Sequence, residues 1–278
     1  MSAFGFGPAL LFCPADRPDR FAKAADRADA VILDLEDAVA ADAKVAARGN
    51  VIDAHLDPAR TIVRVNPTDS AAFAADMATL SQTDYRTVMV AKAESAKQLA
   101  RLDPRFRIIA ICETARGVAA AEKIAAVEAV IGLMWGSEDL IASLGGTSSR
   151  KPRRRDSDRS GEPGRYRDVV RYARSRVLLA AGARGKAAID AVHLDIADVR
   201  GLRREATDAA ASGFAATGCI HPSQVEVVRE AYRPDPQTVA WARRLLEAAD
   251  GAPGVFAFEG RMIDEPLLRH ARTVLRRA

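Results

Sequence analysis

Four apolar runs of this sequence end in groups able to do chemistry: Asp34-Leu35-Glu36-Asp37, Arg64-Val65-Asn66, Glu113 and Gly136-Ser137-Glu138-Asp139. A buried strand that delivers an acid at its C-terminal tip is how α/β enzymes place catalytic groups. Glu113 follows Ile108-Ile109-Ala110-Ile111-Cys112 directly, and a carboxylate in that setting needs a cation or a buried partner. A hard divalent cation such as Mg²⁺ takes oxygen donors, often one or two carboxylates completed by substrate and water. Glu113 and Asp139 fit that count as metal ligands, and Glu36 and Asp37 are placed to hold metal-bound waters. For Asp139 a second reading stands beside this one: Ser137 caps the next helix, and Glu138 and Asp139 are first-turn acids favoured by its dipole. Asp34, inside its run, is expected to be structural and to pair with a basic neighbour. Arg64 interrupts an apolar stretch. Its planar fork suits a carboxylate or a developing enolate oxygen, and the other reading is a buried ion pair with Asp34 or Glu36. His193 and His221 also end apolar runs; no Ser/His/Asp order accompanies them, so they read as hydrogen-bonded structural groups. His55 and His270 read as surface residues. Arg17, Arg20 and Lys23 form a basic cluster that is either a phosphate grip or a solvated helix face.

These groups need a scaffold that brings distant strand ends together. Apolar runs over 9–13, 30–37, 61–66, 87–92, 107–113, 129–136, 189–194 and 216–221 predict eight strands. Ala-rich segments over 21–29, 41–56, 71–80, 117–127, 169–182 and 199–212 predict helices between them, with another starting at Ser95 and the last closed by Gly213. Eight such units predict a closed TIM (β/α)8 barrel rather than an open doubly wound sheet, and the strand ends then share one rim. No strand–turn–helix carries Gly-x-Gly-x-x-Gly or a P-loop. The expected barrel domain is 1–233, with a basic, Pro- and Gly-containing segment at 147–165 after the sixth strand. Such segments are usually solvated loops; at this rim, one could order over a phosphate-rich substrate as a lid. Residues 234–278 predict a helical extension, with helices over 238–250 and 267–277 and an ordered loop over 256–266. Its role is either to cover one barrel end or to reach a neighbouring subunit.

Composition agrees with helix-on-sheet layers. The chain has 278 residues, 49% of them apolar and only 5% aromatic. The formal charge of +4 is modest and spread out, which suits an anionic small ligand better than nucleic acid. The three cysteines each lie in apolar runs without a Cys-x-x-Cys pair, as expected of buried thiols in a reducing cytosol. No window is apolar and long enough to span a bilayer, and no leader pattern opens the chain. A cytoplasmic location is the expectation.

Taken together, several motifs resemble the citrate lyase β-subunit-like family, within the HpcH/HpaI aldolase superfamily. They are Phe12-Cys13-Pro14-Ala15-Asp16-Arg17, Leu33-Asp34-Leu35-Glu36-Asp37, Arg64-Val65-Asn66, Glu113-Thr114-Ala115-Arg116-Gly117, Gly136-Ser137-Glu138-Asp139-Leu140, His221-Pro222-Ser223-Gln224 and Gly260-Arg261-Met262-Ile263-Asp264. The resemblance covers nearly the whole chain. It implies a TIM barrel that binds Mg²⁺ and cleaves or forms C–C bonds in β-hydroxyacyl thioesters. It implies Glu113 and Asp139 as metal ligands, Arg64 on substrate, Glu36 and Asp37 outside them, and backbone near Met134 and Gly136 lining the substrate site. It implies that Asp264 enters a neighbouring subunit's site in a trimer and there handles the proton on the acetyl carbon. The basic stretch at 151–161 is longer than the resemblance leads one to expect. No acyl-carrier or transferase segment is evident, so a stand-alone enzyme on acyl-CoA esters is expected rather than a component of a citrate lyase complex.

The expected activity is cleavage of a citramalyl-CoA-, malyl-CoA- or 3-hydroxy-3-methylglutaryl-CoA-like ester to acetyl-CoA and a keto acid. Alternatives are a thioesterase, a CoA-independent aldolase on small hydroxy-keto acids, and a non-enzymatic anion- or nucleic-acid-binding protein that uses the basic segment.

Overall fold

A computed structural model describes residues 4–152, 164–252 and 254–278. The part of the basic segment at 153–163 lies outside the described residues. The chain forms two compact units, one reaching to Val228 and the other Arg229–Ala278.

The first unit alternates strands and helices: β1 Ala9–Pro14, α1 Phe21–Arg27, β2 Ala30–Asp34, α2 Lys44–Ile52, β3 Thr61–Val65, α3 Phe73–Leu80, β4 Thr87–Val90, α4 Ala96–Leu99, β5 Arg107–Ile111, α5 Ala115–Ala125, β6 Val130–Met134, α6 Ser137–Ser143, α7 Asp168–Ala183, β7 Ala187–Asp190, α8 Val199–Ser212 and β8 Ala216–Cys219. Then α9 Ser223–Tyr232 runs across the boundary between the units. The eight strands pair in sequence order, all parallel, and β1 also pairs with β8, so the barrel is closed. This is the predicted TIM barrel.

Side-chain alternation explains how the barrel positions its chemistry. Ala30, Ile32, Ile62, Met89, Ile109, Ile111, Ile131 and Met134 point into one buried cluster that fills the interior. Two residues further along three of these rows stand Asp34, Arg64 and Glu113. The two-residue period of a strand keeps them on the inward face, one layer above the apolar filling. In the β2–β3 register Asp34 is directly opposite Arg64.

Several boundaries differ from those expected. β2 stops at Asp34, and Leu35–Asp37 form the loop beyond it. β7 stops at Asp190 and β8 at Cys219, so His193 and His221 lie in loops past the strand ends. The helix expected over 41–56 is a 3-10 turn at Ala41–Ala43 followed by α2. The helix α9 was not predicted: Pro222 reads as a stop, but it directly precedes a helix, where its fixed φ does no harm. Thr114 caps α5, its hydroxyl accepting the Gly117 N–H. Gly213 closes α8 at φ +106, as predicted.

The second unit contains α10 Pro236–Ala248, β9 Phe256–Phe258, β10 Arg261–Ile263 and α11 Glu265–Arg277. The loop expected over 256–266 is instead an antiparallel hairpin. Its turn residues Glu259 and Gly260 have φ of +46 and +75, the left-handed pair that a two-residue hairpin turn requires. Ala242, Leu245, Ile263, Ala271 and Val274 form this unit's own core. Among the described residues, no helix is long and apolar enough to cross a membrane.

Candidate active site

The C-terminal rim of the barrel gathers acids from the ends of three strands, β2, β5 and β6, around two cations, Arg64 and Lys92, from β3 and the end of β4. Arg64 reaches Asp34 with two parallel bonds, Nε to Oδ1 at 2.7 Å and a terminal nitrogen to Oδ2 at 2.5 Å. Its other terminal nitrogen is 3.3 Å from Glu36. The ion-pair arrangement foreseen for Arg64 is therefore present, and Asp34 has the basic neighbour expected of it. Burial disfavours the Arg64 charge, but Asp34 and Glu36 outweigh it and hold the guanidinium above its ordinary range. Its fork also lies 4.9 Å from the centre of the Phe12 ring.

Glu113 is 4% exposed. Burial pushes its carboxyl up to about 8, and Asp139 pushes the same way, while the Lys92 N–H and Arg64 oppose the shift. One oxygen accepts the Lys92 N–H at 2.9 Å. The other lies against Gly136, where a Cβ would fall only 2.8 Å away. Gly136 is therefore a cradle: the bare backbone leaves room for the carboxylate.

Asp139 sits in the first turn of α6, as the helix-dipole reading requires, and also faces the cluster, 3.5 Å from the Lys92 ammonium. The expected cap is corrected: Gly136 is the N-cap residue and Ser137 makes no capping bond. The Ser137 hydroxyl donates to Glu138, which also accepts from Ser149.

Lys92 is the residue that strand-end reasoning passed over. It follows the apolar run 87–91, the same signal that singled out Glu113, but a basic residue there read only as the end of a strand. Its φ of +47 is left-handed, which a non-glycine residue adopts only under local constraint. Its ammonium bonds Glu36, reaches Asp37 at 2.8 Å, and lies near Asp139. Burial disfavours this charge, yet hydrogen bonds to Asp37 and Glu36 hold it above the ordinary lysine range. Burial pushes Glu36 up, opposed by Arg64 and Lys92; for Asp37 the Lys92 bond overcomes burial and the carboxyl is lowered.

The remaining candidates are spread more widely. Met134 is buried in the barrel interior at the end of β6. Arg17, Arg20 and Lys23 are exposed beyond β1, with Arg17 held by Asp19 at 3.1 Å. Asp264 belongs to the second unit and is the N-cap of α11. His193 is buried, its Nδ1 2.9 Å from Glu205, and exposed His221 bonds Ser223. His55 and His270 are exposed. Flanking the undescribed stretch, Lys151 donates its N–H to Arg165 and Arg167 donates to Ser149, so the two ends of the basic segment run side by side.

Among the described residues, no three His, Cys, Asp or Glu side chains form a cage of their own. Glu113 and Asp139 nevertheless suit a hard cation. They are two oxygen donors, and the buried one is destabilised as an anion by burial and by a like charge. A cation that takes its remaining ligands from substrate and water needs no more from the protein.

Comparison with known proteins agrees with this geometry. A family model described as HpcH/HpaI aldolase/citrate lyase matches residues 9–222, and one described as a C–C bond lyase of the TIM-barrel fold matches residues 169–278. The citrate lyase subunit beta-like protein of Mycobacterium tuberculosis is 57% identical over 272 residues, covering 98% of this chain and 96% of the relative. The mitochondrial citramalyl-CoA lyase of Homo sapiens is 32% identical over 300 residues, covering 96% of this chain and 84% of the relative. The crystal structure of the Mycobacterium tuberculosis protein CitE in complex with magnesium, acetoacetate and coenzyme A matches with a TM-score of 0.89 at 57% identity, covering 99% of this chain and 98% of that one. A barrel whose rim acids surround two cations, matched over nearly its whole length by these relatives, belongs to the HpcH/HpaI aldolase/citrate lyase family.

Proposed function

We propose that this chain is a Mg²⁺-dependent carbon–carbon lyase. Its substrate is a β-hydroxyacyl-CoA of the citramalyl-CoA or malyl-CoA type, or a 3-hydroxy-3-methylglutaryl analogue, and its products are acetyl-CoA and a keto acid. The observation that carries this reading is the buried Glu113 carboxyl, cradled by Gly136 and facing Asp139. Glu113 and Asp139 hold the cation, and Glu36 and Asp37 lie outside them. Bound there, Mg²⁺ supplies Lewis-acid stabilisation of negative charge on the oxygens of the keto-acid half.

The chain's own groups supply the rest. Cleavage breaks the bond between the carbinol carbon and the acetyl carbon. The hydroxyl gives its proton to solvent water and becomes the ketone, and the electrons of the breaking C–C bond move into the thioester as an enolate. Arg64, kept cationic by Asp34 and Glu36, faces that developing charge. Asp264 of a neighbouring copy delivers the proton that the acetyl carbon takes up. Arg17, Arg20 and Lys23 grip the CoA phosphates, and backbone at Met134 and Gly136 lines the acyl site. The two-sign rim disfavours nucleic acid as a partner, because its carboxylates repel phosphate.

The test is mass-spectrometric turnover of a β-hydroxyacyl-CoA panel with Mg²⁺ and with EDTA. Metal-dependent release of acetyl-CoA and a keto acid is expected. Free CoA with an intact hydroxy acid would make the chain a thioesterase. Turnover of free hydroxy-keto acids alone would make it a CoA-independent aldolase. For the shared site, mixing Glu113→Ala and Asp264→Ala proteins should restore part of the activity; none after demonstrated subunit exchange removes the trans role of Asp264.

A further inference from the structure

We propose that Lys92 is a positioning residue that sets the affinity of the rim for its divalent cation. This rests on the reading of Glu113 and Asp139 as the metal ligands.

Lys92 touches both of those acids, by different means. Its backbone N–H fixes one Glu113 oxygen at 2.9 Å. Its ammonium lies 3.5 Å from Asp139 while being tied to Glu36 and to Asp37 at 2.8 Å. The left-handed φ of +47 belongs to a backbone that sends the N–H to one ligand and the side chain to the other. The Lys92 side chain is 28% exposed, so the field of its charge at the site is only partly screened by solvent.

The two contacts act in opposite directions on a cation. The N–H orients Glu113 and favours binding. The ammonium shares Asp139 with the cation and repels it, which weakens binding. A site of this kind holds its cation loosely enough for it to come and go with substrate, which itself supplies ligands. Were Lys92 merely a strut for the acids, its loss would loosen them and weaken binding. The sign of the affinity change separates the two roles.

The experiment is calorimetric titration of the full-length protein with Mg²⁺ alone, comparing wild type with Lys92→Gly, Lys92→Met and Lys92→Arg. Glycine adopts the positive φ at no steric cost and keeps the N–H to Glu113 while removing the side chain with its ammonium, and methionine removes the charge while keeping an apolar stem. Both neutral variants should bind Mg²⁺ about tenfold more tightly, and Mg²⁺ should raise their Tm more than it raises that of wild type. Lys92→Arg, which retains the charge, should stay within about threefold of wild type. If Lys92→Met fails to fold at that φ, Lys92→Gly decides alone. Unchanged or weaker binding in folded Lys92→Gly overturns the role of Lys92 and leaves the metal site standing. No Mg²⁺ binding by wild type, or binding undiminished in Glu113→Gln, overturns both.

Discussion

Glu113 is a buried acid whose charge the fold disfavours. Its carboxyl is raised from 4.5 to about 8 in the folded chain, chiefly by burial. The folded state therefore binds a proton that the unfolded state has already lost over this interval. The stability this brings is fully present below about 4.5 and is lost as pH rises through about 8. With a chelator present, thermal scans across that window should show Tm falling, and Glu113→Gln should flatten the slope. An equal slope in the variant would place the titration elsewhere. Mg²⁺ should also flatten it, because the ion replaces the proton. Glu113 was legible because an acid after an unbroken apolar run has few alternatives. Lys92 was not, although it follows such a run too. Its meaning lies in a left-handed backbone and in acids from three other loops, and neither leaves a local trace.

At the scale of elements, strand alternation does most of the positioning, and one glycine does the rest. Asp34, Arg64 and Glu113 each continue an inward-facing apolar row, so their convergence follows once the barrel closes. Gly136 joins β6 to α6 where an added Cβ would fall 2.8 Å from a Glu113 oxygen and 3.1 Å from its Cβ. Glu113 cannot retreat, because the Lys92 N–H holds its other oxygen. Gly136→Ala should therefore keep the fold while lowering Mg²⁺ affinity and turnover by about tenfold or more, a loss that a misplaced ligand produces readily. Wild-type affinity in that variant would show that the loop yields. The strands themselves were legible from their apolar runs, apart from the ends of β2, β7 and β8. There apolar residues continue past the last ladder bond, and periodicity alone does not show where pairing stops. The hairpin β9–β10 was not legible: three-residue strands are too short to display alternation, and Glu259 is an uncommon residue at a left-handed turn position.

For the molecule as a whole, two compact units divide the chain, and the acids of the rim all lie in the first. Leu245 is fully buried in the core of the second. Leu245→Ala should cost that core about 2–5 kcal/mol. Mg²⁺ affinity at Glu113 should survive the change, and titration of the variant measures this directly. Affinity falling in parallel with stability would show that the rim depends on the second core. The barrel was legible from eight spaced strand–helix units. The helices of the second unit were legible from their amphipathic pattern, but that their apolar faces meet in a core of their own was not, because the period of a helix does not name the face it packs against.

The three thiols offer a clock for local opening. Cys13, Cys112 and Cys219 are all buried, and burial pushes Cys13 up to about 11 and Cys112 up to about 12. An alkylating reagent at neutral pH meets almost no thiolate and almost no accessible sulfur. Modification then proceeds only through transient opening of the strand that carries each residue. Cys112 directly precedes Glu113, so its labelling rate reports the breathing of the β5 tip, residue by residue, in a protein that is otherwise at rest. A ligand that ties down Glu113 should slow Cys112 while leaving Cys13, on β1, at its own pace.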